Sequence, residues 1–396
     1  MPLSSPRGTP AGSSRPLRVL MVSDVYFPRI NGVSTSIKTF RHALAGQGVE
    51  VRLVVPRYGD EAASEGIVRV PGRRVPRDPE DRIVGWRAMH RAALAAAADC
   101  DAVHIQTPFV AHWAGLAAAR QHGLPALTTY HTFFEEYLHH YAPFLPSGWL
   151  RSLARSLSRR QCNAVDSVIV PSTAMRERLA AYGVHTPMQV LPTGIPLQDF
   201  GHGDGARFRR QHGIAPTAVV ALYVGRVAHE KNIPFLIEVA RHLVRQLPHF
   251  VLLIAGEGPA LPALRQAAAE PELAGCVRFA GYLERSAALP DCYAAADVFT
   301  FASRTETQGL VLLEAMAAGL PVAALSAMGT ADILGPTRGS IAPPDEPVAF
   351  AQALLPLLRD AALRKRLADA AAEHVLEWSD AQMAQRLAGH YRSLIA

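Results

Sequence analysis

Short apolar runs that end in polar residues recur along this chain, with stretches of helical spacing between them. Residues 17–24 read LRVLMVSD, and VEVRLVVP, DAVHIQTP, PALTTYH and SVIVPS share that form. Mainly apolar runs of this length suit strands buried on both faces. Helical patterns occupy 34–45, 82–98, 112–121 and 173–181. Such alternation predicts a parallel sheet with helices on both sides.

The alternation stops in VLPTGIPLQDFGHGDG (190–205), where Pro, Gly and Asp mark a linker. It then resumes: AVVALYVGR, helix 233–245, FVLLIAGEGP, helix 260–269, VRFAGY, helix 285–295, DVFTFAS, and finally SRTETQGLVLLEAMAAGLPV. The chain has 396 residues, beyond the roughly 250–300 that one core supports. We therefore expect an α/β chain of two doubly wound domains, at 17–194 and 195–379. Residues 1–16 lack the apolar core of a signal peptide and read as a disordered tail. The amphipathic stretch 380–396 reads as a closing helix, free to pack back on the first domain.

The four cysteines, Cys100, Cys162, Cys276 and Cys292, form no CxxC pair and no Cys/His cluster, which predicts free thiols and a reducing, cytoplasmic setting. The longest apolar region, 310–325, is interrupted by Glu314, Gly319 and Pro321, so no membrane span is expected. Charge is uneven. Residues 1–200 hold 22 Lys and Arg against 15 Asp and Glu, the remainder 18 against 19. The excess in the first half points to an acidic partner, read here as an anionic membrane surface and not nucleic acid.

In open α/β sheets, ligands bind beyond the carboxyl ends of the strands. Four stretches there carry polar chemistry. In 23–36, Asn31-Gly32 opens a helix whose free N–H groups can receive an anion. Residues 129–143, TYHTFFEEYLHHYAP, are dense in His, Glu and Tyr. In 224–232, Gly225 precedes Arg226 and Lys231 at a strand–loop–helix junction. In 303–322 the expected helix is 308–318, stopped by Gly319-Leu-Pro. Glu306 would then sit at its N-terminus, beside the unpaired amides of Thr307, Gln308, Gly309 and Leu310, with Glu314 about 12 Å further along the axis. Buried carboxylates without partners are costly, and both accept readily from vicinal hydroxyls. A ligand with a pyrophosphate between two sugars, a nucleotide-sugar, fits this order, with Arg226 and Lys231 adding cationic charge.

Here the chain resembles the retaining glycosyltransferases of the GT-B fold, family 4 type. The residues that carry the likeness are E-x7-E at Glu306/Glu314, GR-x4-KN at Gly225–Asn232, and Asn31-Gly32-Val33 after the first strand. The resemblance implies that Glu306 contacts the donor hexose and Glu314 the ribose. It implies that Arg226 and Lys231 hold the diphosphate, that the Gly32 loop closes over it, and that His131 lies beside the transferred sugar. It also implies same-face attack, with retention and no metal or other cofactor. HTFFEEYLHHY resembles the subgroup of diacylglycerol glucosyltransferases and GDP-mannose-dependent mannosyltransferases. On that footing Glu135, Tyr137, His139 and His140 are acceptor candidates, against the plain reading of an exposed polar turn. The family's PNG before the second domain is PTG here, and Thr193 receives no role.

The stretch 146–165 places Trp149, Leu150, Leu153 and Leu157 at helical spacing, with Arg151, Arg155, Arg159 and Arg160 largely elsewhere. It reads either as a helix packing its leucines on the sheet or as a basic helix docking on membrane. The functional expectation is a hexosyltransferase using a UDP- or GDP-linked donor and a lipid or lipid-linked acceptor at the inner membrane face. A GT-B-shaped epimerase and a non-catalytic sugar-phosphate-binding regulator remain alternatives. A dehydrogenase lacks support, since no GxGxxG follows the first strand.

Overall fold

The structure, a computed structural model, describes residues 15–75, 78–131, 147–285 and 287–396. Glu135, Tyr137, His139 and His140 lie outside these residues, as do 1–14 of the expected tail. Within the tail, Arg15 pairs with Asp101 at 2.5 Å.

The first domain holds an eight-stranded sheet, β1 (Leu17–Val22), β2 (Val49–Arg57), β3 (Ile67–Val75), β4 (Asp78–Val84), β5 (Ala102–Ile105), β6 (Ala126–Thr129), β7 (Ser167–Val170) and β8 (Met188–Val190). Its order is β4-β3-β2-β1-β5-β6-β7-β8. All pairs are parallel except β3–β4. Its helices are α1 (Gly32–Ala45), α2 (Trp86–Ala97), α3 (Val110–His122), α4 (Ser147–Cys162) and α5 (Thr173–Ala181). The second domain holds β9 (Val219–Val224), β10 (Phe250–Ala255), β11 (Val277–Gly281), β12 (Val298–Phe301), β13 (Val322–Ala324) and β14 (Ser340–Ile341), all parallel in the order β11-β10-β9-β12-β13-β14. Around it lie α6 (Gly205–Gln211), α7 (Ile233–Val244), α8 (Leu261–Ala268), α9 (Ala288–Ala294), α10 (Leu310–Ala317), α11 (Thr330–Leu334), α12 (Pro347–Arg359) and α13 (Ala361–Val375). These are two Rossmann-like domains.

The apolar runs behave as buried parallel strands should: Val19–Val22, β5 and β10 are wholly buried. Each sheet carries its own core. A third cluster joins β1 and β2 to Met383, Ala384, Leu387, Ala388 and Tyr391 of the last helix, α14 (Asp380–Ile395). That helix belongs in sequence to the second domain but lies against α1 of the first. Ile195 and Ser379 bridge where the chain crosses over in each direction.

Three expectations need correcting. Residues 82–84 end β4, and the helix begins only at Trp86; Arg74 and Arg82 pair across the β3–β4 ribbon, a hairpin pairing that helical spacing hides. The helix after β12 starts at Leu310 rather than 308, because Gly309 takes φ 94° as its cap. Glu306 therefore sits in a loop. Only the residues from 310 onward are helical, so the straight 12 Å reckoning to Glu314 does not hold. Finally, among the described side chains of α4 the leucines do not form the buried face, Leu157 being only half-buried. Its buried face is Ala154, Ser158, Gln161 and Cys162, while Leu153 is 45% exposed. Small residues let this helix lie close to the sheet. Of its arginines, Arg155 rests on the Tyr182 ring and Arg160 on Trp113. Among the described residues no helix is long and apolar enough to cross a membrane.

Candidate active site

The cleft floor of the second domain is built from loops that follow its strands. After β9, Gly225 donates to the Ala255 carbonyl and Val227 to that of Glu257; after β10, Gly256 donates to the Gly281 carbonyl. Gly225, Gly256 and Gly258 adopt φ of 149°, 138° and 157°. A Cβ on Gly256 would overlap the Gly225 carbonyl, and one on Gly258 that of Val227. GEGP, a partial glycine signal in the sequence, is thus the packing partner of the GR loop.

This floor presents Arg226 and Lys231. Arg226 is exposed and has no ion-pair partner among the described residues. Lys231 Nζ meets Glu306 Oε2 at 2.5 Å, both side chains about one-fifth exposed. The loop is braced from below: Asn232, in the left-handed region, donates to the Ala302 carbonyl and Ser303 to that of Glu230. The structure therefore brings Lys231 and Glu306 together, 75 residues apart in sequence.

Glu314 is 2% exposed. Its Oε1 accepts from Arg285 at 2.5 Å and its Oε2 from the Tyr293 hydroxyl at 3.0 Å. Burial and the neighbouring carboxylate push the Tyr293 phenol well above its ordinary pKa, so it stays a donor. These partners answer how an apolar helix holds an acid. Arg285 and Tyr293 were not singled out by sequence; the only available signal was their place after β11, on the same side of the sheet. Glu314 has both oxygens engaged, and any hydroxyl pair it receives uses the remaining lone pairs.

Across the cleft, the first domain contributes His131 and the start of α1. His131 donates from Nε2 to Gln106 Oε1 at 2.9 Å, which leaves Nδ1 as the acceptor nitrogen. Gln106 is another residue the sequence reading missed. The His131 carbonyl accepts from the Thr307 hydroxyl at 3.4 Å, bringing the donor loop of one domain against the other. Asn31 caps α1, its Oδ1 accepting from Ser34 at 2.8 Å. Nothing stands within 4 Å of a Cβ built on Gly32, so the approach to the first amides of α1 is open. Gln308 is different. Its side chain is buried and spent on the Thr193 backbone, so only its amide faces the role expected of it. Gly309 caps α10 and Leu310 begins it, where N–H groups lack intrahelical partners. Asp24, after β1, holds the Ala111 amide and the Thr107 hydroxyl, serving as a remote cap for α3. Burial lifts its carboxyl to about 6.

Removal from water depresses the ring of His131 to about 4, that of His112 to about 4, and that of His104 well below 6.5. A histidine held neutral in the fold contributes stability above the unfolded pKa and loses it as pH falls from 6.5 toward 4. Asp24 acts in the opposite sense, losing its contribution as pH rises toward 6. The clean measurement is a difference. Urea unfolding of His131→Gln should show a flatter acid decline than wild type between pH 6.5 and 4; parallel curves would mean that folding leaves the His131 ring unshifted.

The first domain matches the family model described as Glycosyltransferase Family 4 over residues 30–199, and the second matches Glycosyl transferases group 1 over 204–374. An alpha-monoglucosyldiacylglycerol synthase of Streptococcus pneumoniae is 34% identical over 78% of this chain and 71% of its own. The chain belongs to glycosyltransferase family 4. Other family 4 relatives include a GDP-mannose-dependent alpha-mannosyltransferase of Mycobacterium tuberculosis, 28% identical over 96% of this chain and 97% of its own. Among solved structures, sucrose-phosphate synthase from Thermosynechococcus elongatus aligns with TM-score 0.76 over 96% of this chain and 99% of that one, at 22% identity. Anabaena Alr3699/HepE in complex with UDP-glucose aligns with TM-score 0.72 over 95% and 99%, at 18% identity. These two show a shared GT-B fold. The family 4 protein is a nucleotide-sugar glycosyltransferase, and its named relatives favour neither the epimerase nor the regulator.

Proposed function

We propose that this family 4 enzyme moves a hexose from a UDP- or GDP-linked donor to a lipid or lipid-linked acceptor, with retention of configuration and without a divalent ion. The observation that carries the reading is the Lys231–Glu306 pair at 2.5 Å, with exposed Arg226 in the same loop as Lys231 and His131 joined to the Thr307 loop from across the cleft. Arg226, Lys231 and the first amides of α10 offset the charge that builds on the departing diphosphate. Glu306 accepts hexose hydroxyls, and Glu314, oriented by Arg285 and Tyr293, accepts from the ribose. The acceptor attacks from the face the diphosphate leaves, which takes the acceptor's proton. The diacylglycerol-glucosylating relative supports the lipid acceptor.

The test is transfer from labelled UDP-glucose and GDP-mannose to diacylglycerol or phosphatidylinositol vesicles in excess EDTA. We expect an α-linked glycolipid from one donor. A free hexose, an epimerised nucleotide-sugar, or activity lost in EDTA and restored by magnesium would each remove part of the reading. Lys231→Ala should weaken binding of the free nucleoside diphosphate by about 1.5–3 kcal/mol, the worth of a charged hydrogen bond; unchanged affinity by calorimetry takes Lys231 out of the site.

The enzyme reaches its acceptor as a peripheral protein on the cytoplasmic leaflet. Exposed Leu153, Arg151, Arg155 and Arg159 of α4 support this, with Trp149 in the same helix. Each arginine near anionic lipid contributes about 1 kcal/mol. Wild type should co-sediment with phosphatidylglycerol vesicles at low salt, and the Arg151/Arg155/Arg159→Gln variant should not. Wild type left in the supernatant would favour a soluble acceptor.

A further inference from the structure

Thr193 stands in the linker between the domains, where the sequence reading gave it nothing to do. Its hydroxyl donates to Ser36 Oγ on α1 at 2.7 Å. Its N–H donates to Gln308 Oε1 at 2.9 Å, and Gln308 Nε2 donates back to its carbonyl at 2.7 Å. Thr193, Ser36 and Gln308 are only 7%, 1% and 6% exposed. One residue thus ties three segments together: the linker, the first domain's α1, and the loop between β12 and α10.

Both tied segments lead straight to the site. Ser36 lies one turn beyond Gly32 on α1. Gln308 lies two residues beyond Glu306 and follows Thr307, whose hydroxyl reaches the His131 carbonyl. The Thr193–Gln308 contact spends a buried side-chain amide on both backbone groups of the linker, as a strand neighbour would. The Thr193–Ser36 contact is directional and short, and a pair of apolar residues of the same shape would fill the space without fixing any angle. Stability alone does not call for it, since replacing both partners of a buried hydrogen bond by apolar groups is nearly neutral.

We propose that Thr193 is a positioning residue for sugar transfer. Through Ser36 and Gln308 it fixes the start of α1 against the 306–309 loop, so that the parts of the site supplied by the two domains meet at one set distance. This deepens the transferase reading and rests on it. Thr193 touches no substrate, and it acts only through its two partners.

Thr193→Val keeps the shape and both backbone bonds but removes the hydroxyl. Ser36→Ala removes the other end. Each should lower kcat about tenfold, while UDP affinity, set within the second domain, stays within about twofold. Thr193→Ser should restore kcat. The Thr193→Val/Ser36→Ala double variant carries no orphaned hydroxyl, so its Tm should return to the wild-type value while kcat stays as low as in either single variant. Such non-additivity marks a pair acting as a unit. A purely structural role would instead restore kcat along with Tm, and that result overturns the proposal, as does unchanged kcat in both single variants. Small-angle scattering supplies a readout independent of turnover. With UDP bound, Thr193→Val should be more expanded than wild type, and superimposable curves would count against the proposal. Absence of transfer by wild type, with this difference in scattering intact, would fault the acceptor assignment and not the junction.

Discussion

Glu306→Gln should lower transfer by roughly 10²–10³-fold and leave the fold unchanged. The swap is nearly isosteric, and the side chain lies in the cleft, about one-fifth exposed rather than buried in a core. Two things are lost. Lys231 no longer faces a full negative charge at 2.5 Å, and the hexose loses an anionic acceptor for its hydroxyls. Neither loss disturbs the framework, because the Glu306 carbonyl still accepts from Gly329 and the flanking Thr307 and Gln308 keep their partners. Initial rates with a labelled donor, alongside a melting curve, make the check. A variant within a few fold of wild type would show that Glu306 is only the counter-ion of Lys231.

Gly256→Ala should fail in the other way, through the backbone. At φ 138° no L side chain sits comfortably, and the added methyl would overlap the Gly225 carbonyl. Strain of this kind costs about 1–3 kcal/mol before any overlap, and the overlap must be relieved by moving the loop that carries Arg226. We expect a Tm lower by several degrees together with loss of nucleoside diphosphate binding. Gly32→Ala is the informative companion. Nothing stands near a Cβ there, so the empty enzyme should melt as wild type does, and any effect should appear only when donor binds. A Gly256→Ala protein that binds UDP normally would show that the floor tolerates the shift.

What local spacing encodes was readable. The apolar runs are strands because they are buried on both faces, and α5 starts and stops at the residues its pattern marks, with Ser172 as cap. Glu306, Arg226 and Lys231 sit in loops that follow strands, so their place beside the cleft followed from topology, while Glu314 lies buried within α10. Most of what escaped was set by pairing between segments rather than by spacing within one. The β3–β4 ribbon depends on cross-strand pairing, which overrode the helical look of 82–85. Arg285 shows no periodicity that ties it to Glu314, 29 residues away. Gln308 looks like one more polar residue at a helix start until Thr193 is seen beside it, 115 residues off. Gly309 moved the helix start by two residues because a left-handed glycine ends the loop there.

The path of α14 has a consequence for how the protein comes into being. Met383, Leu387 and Tyr391 close a cluster on β1 and β2, and Tyr391 meets His104 of β5 at 2.7 Å. A ribosome makes those strands well before that helix. At about 5–20 residues per second, the early sheet waits on the order of 10–40 s with one greasy face uncovered while the second domain is synthesised. The first domain is therefore completed only after the second has been made. Chains cut back before residue 380 should therefore hold both sheets yet leave the β1–β2 face uncovered, bind hydrophobic dyes and be cut readily by protease.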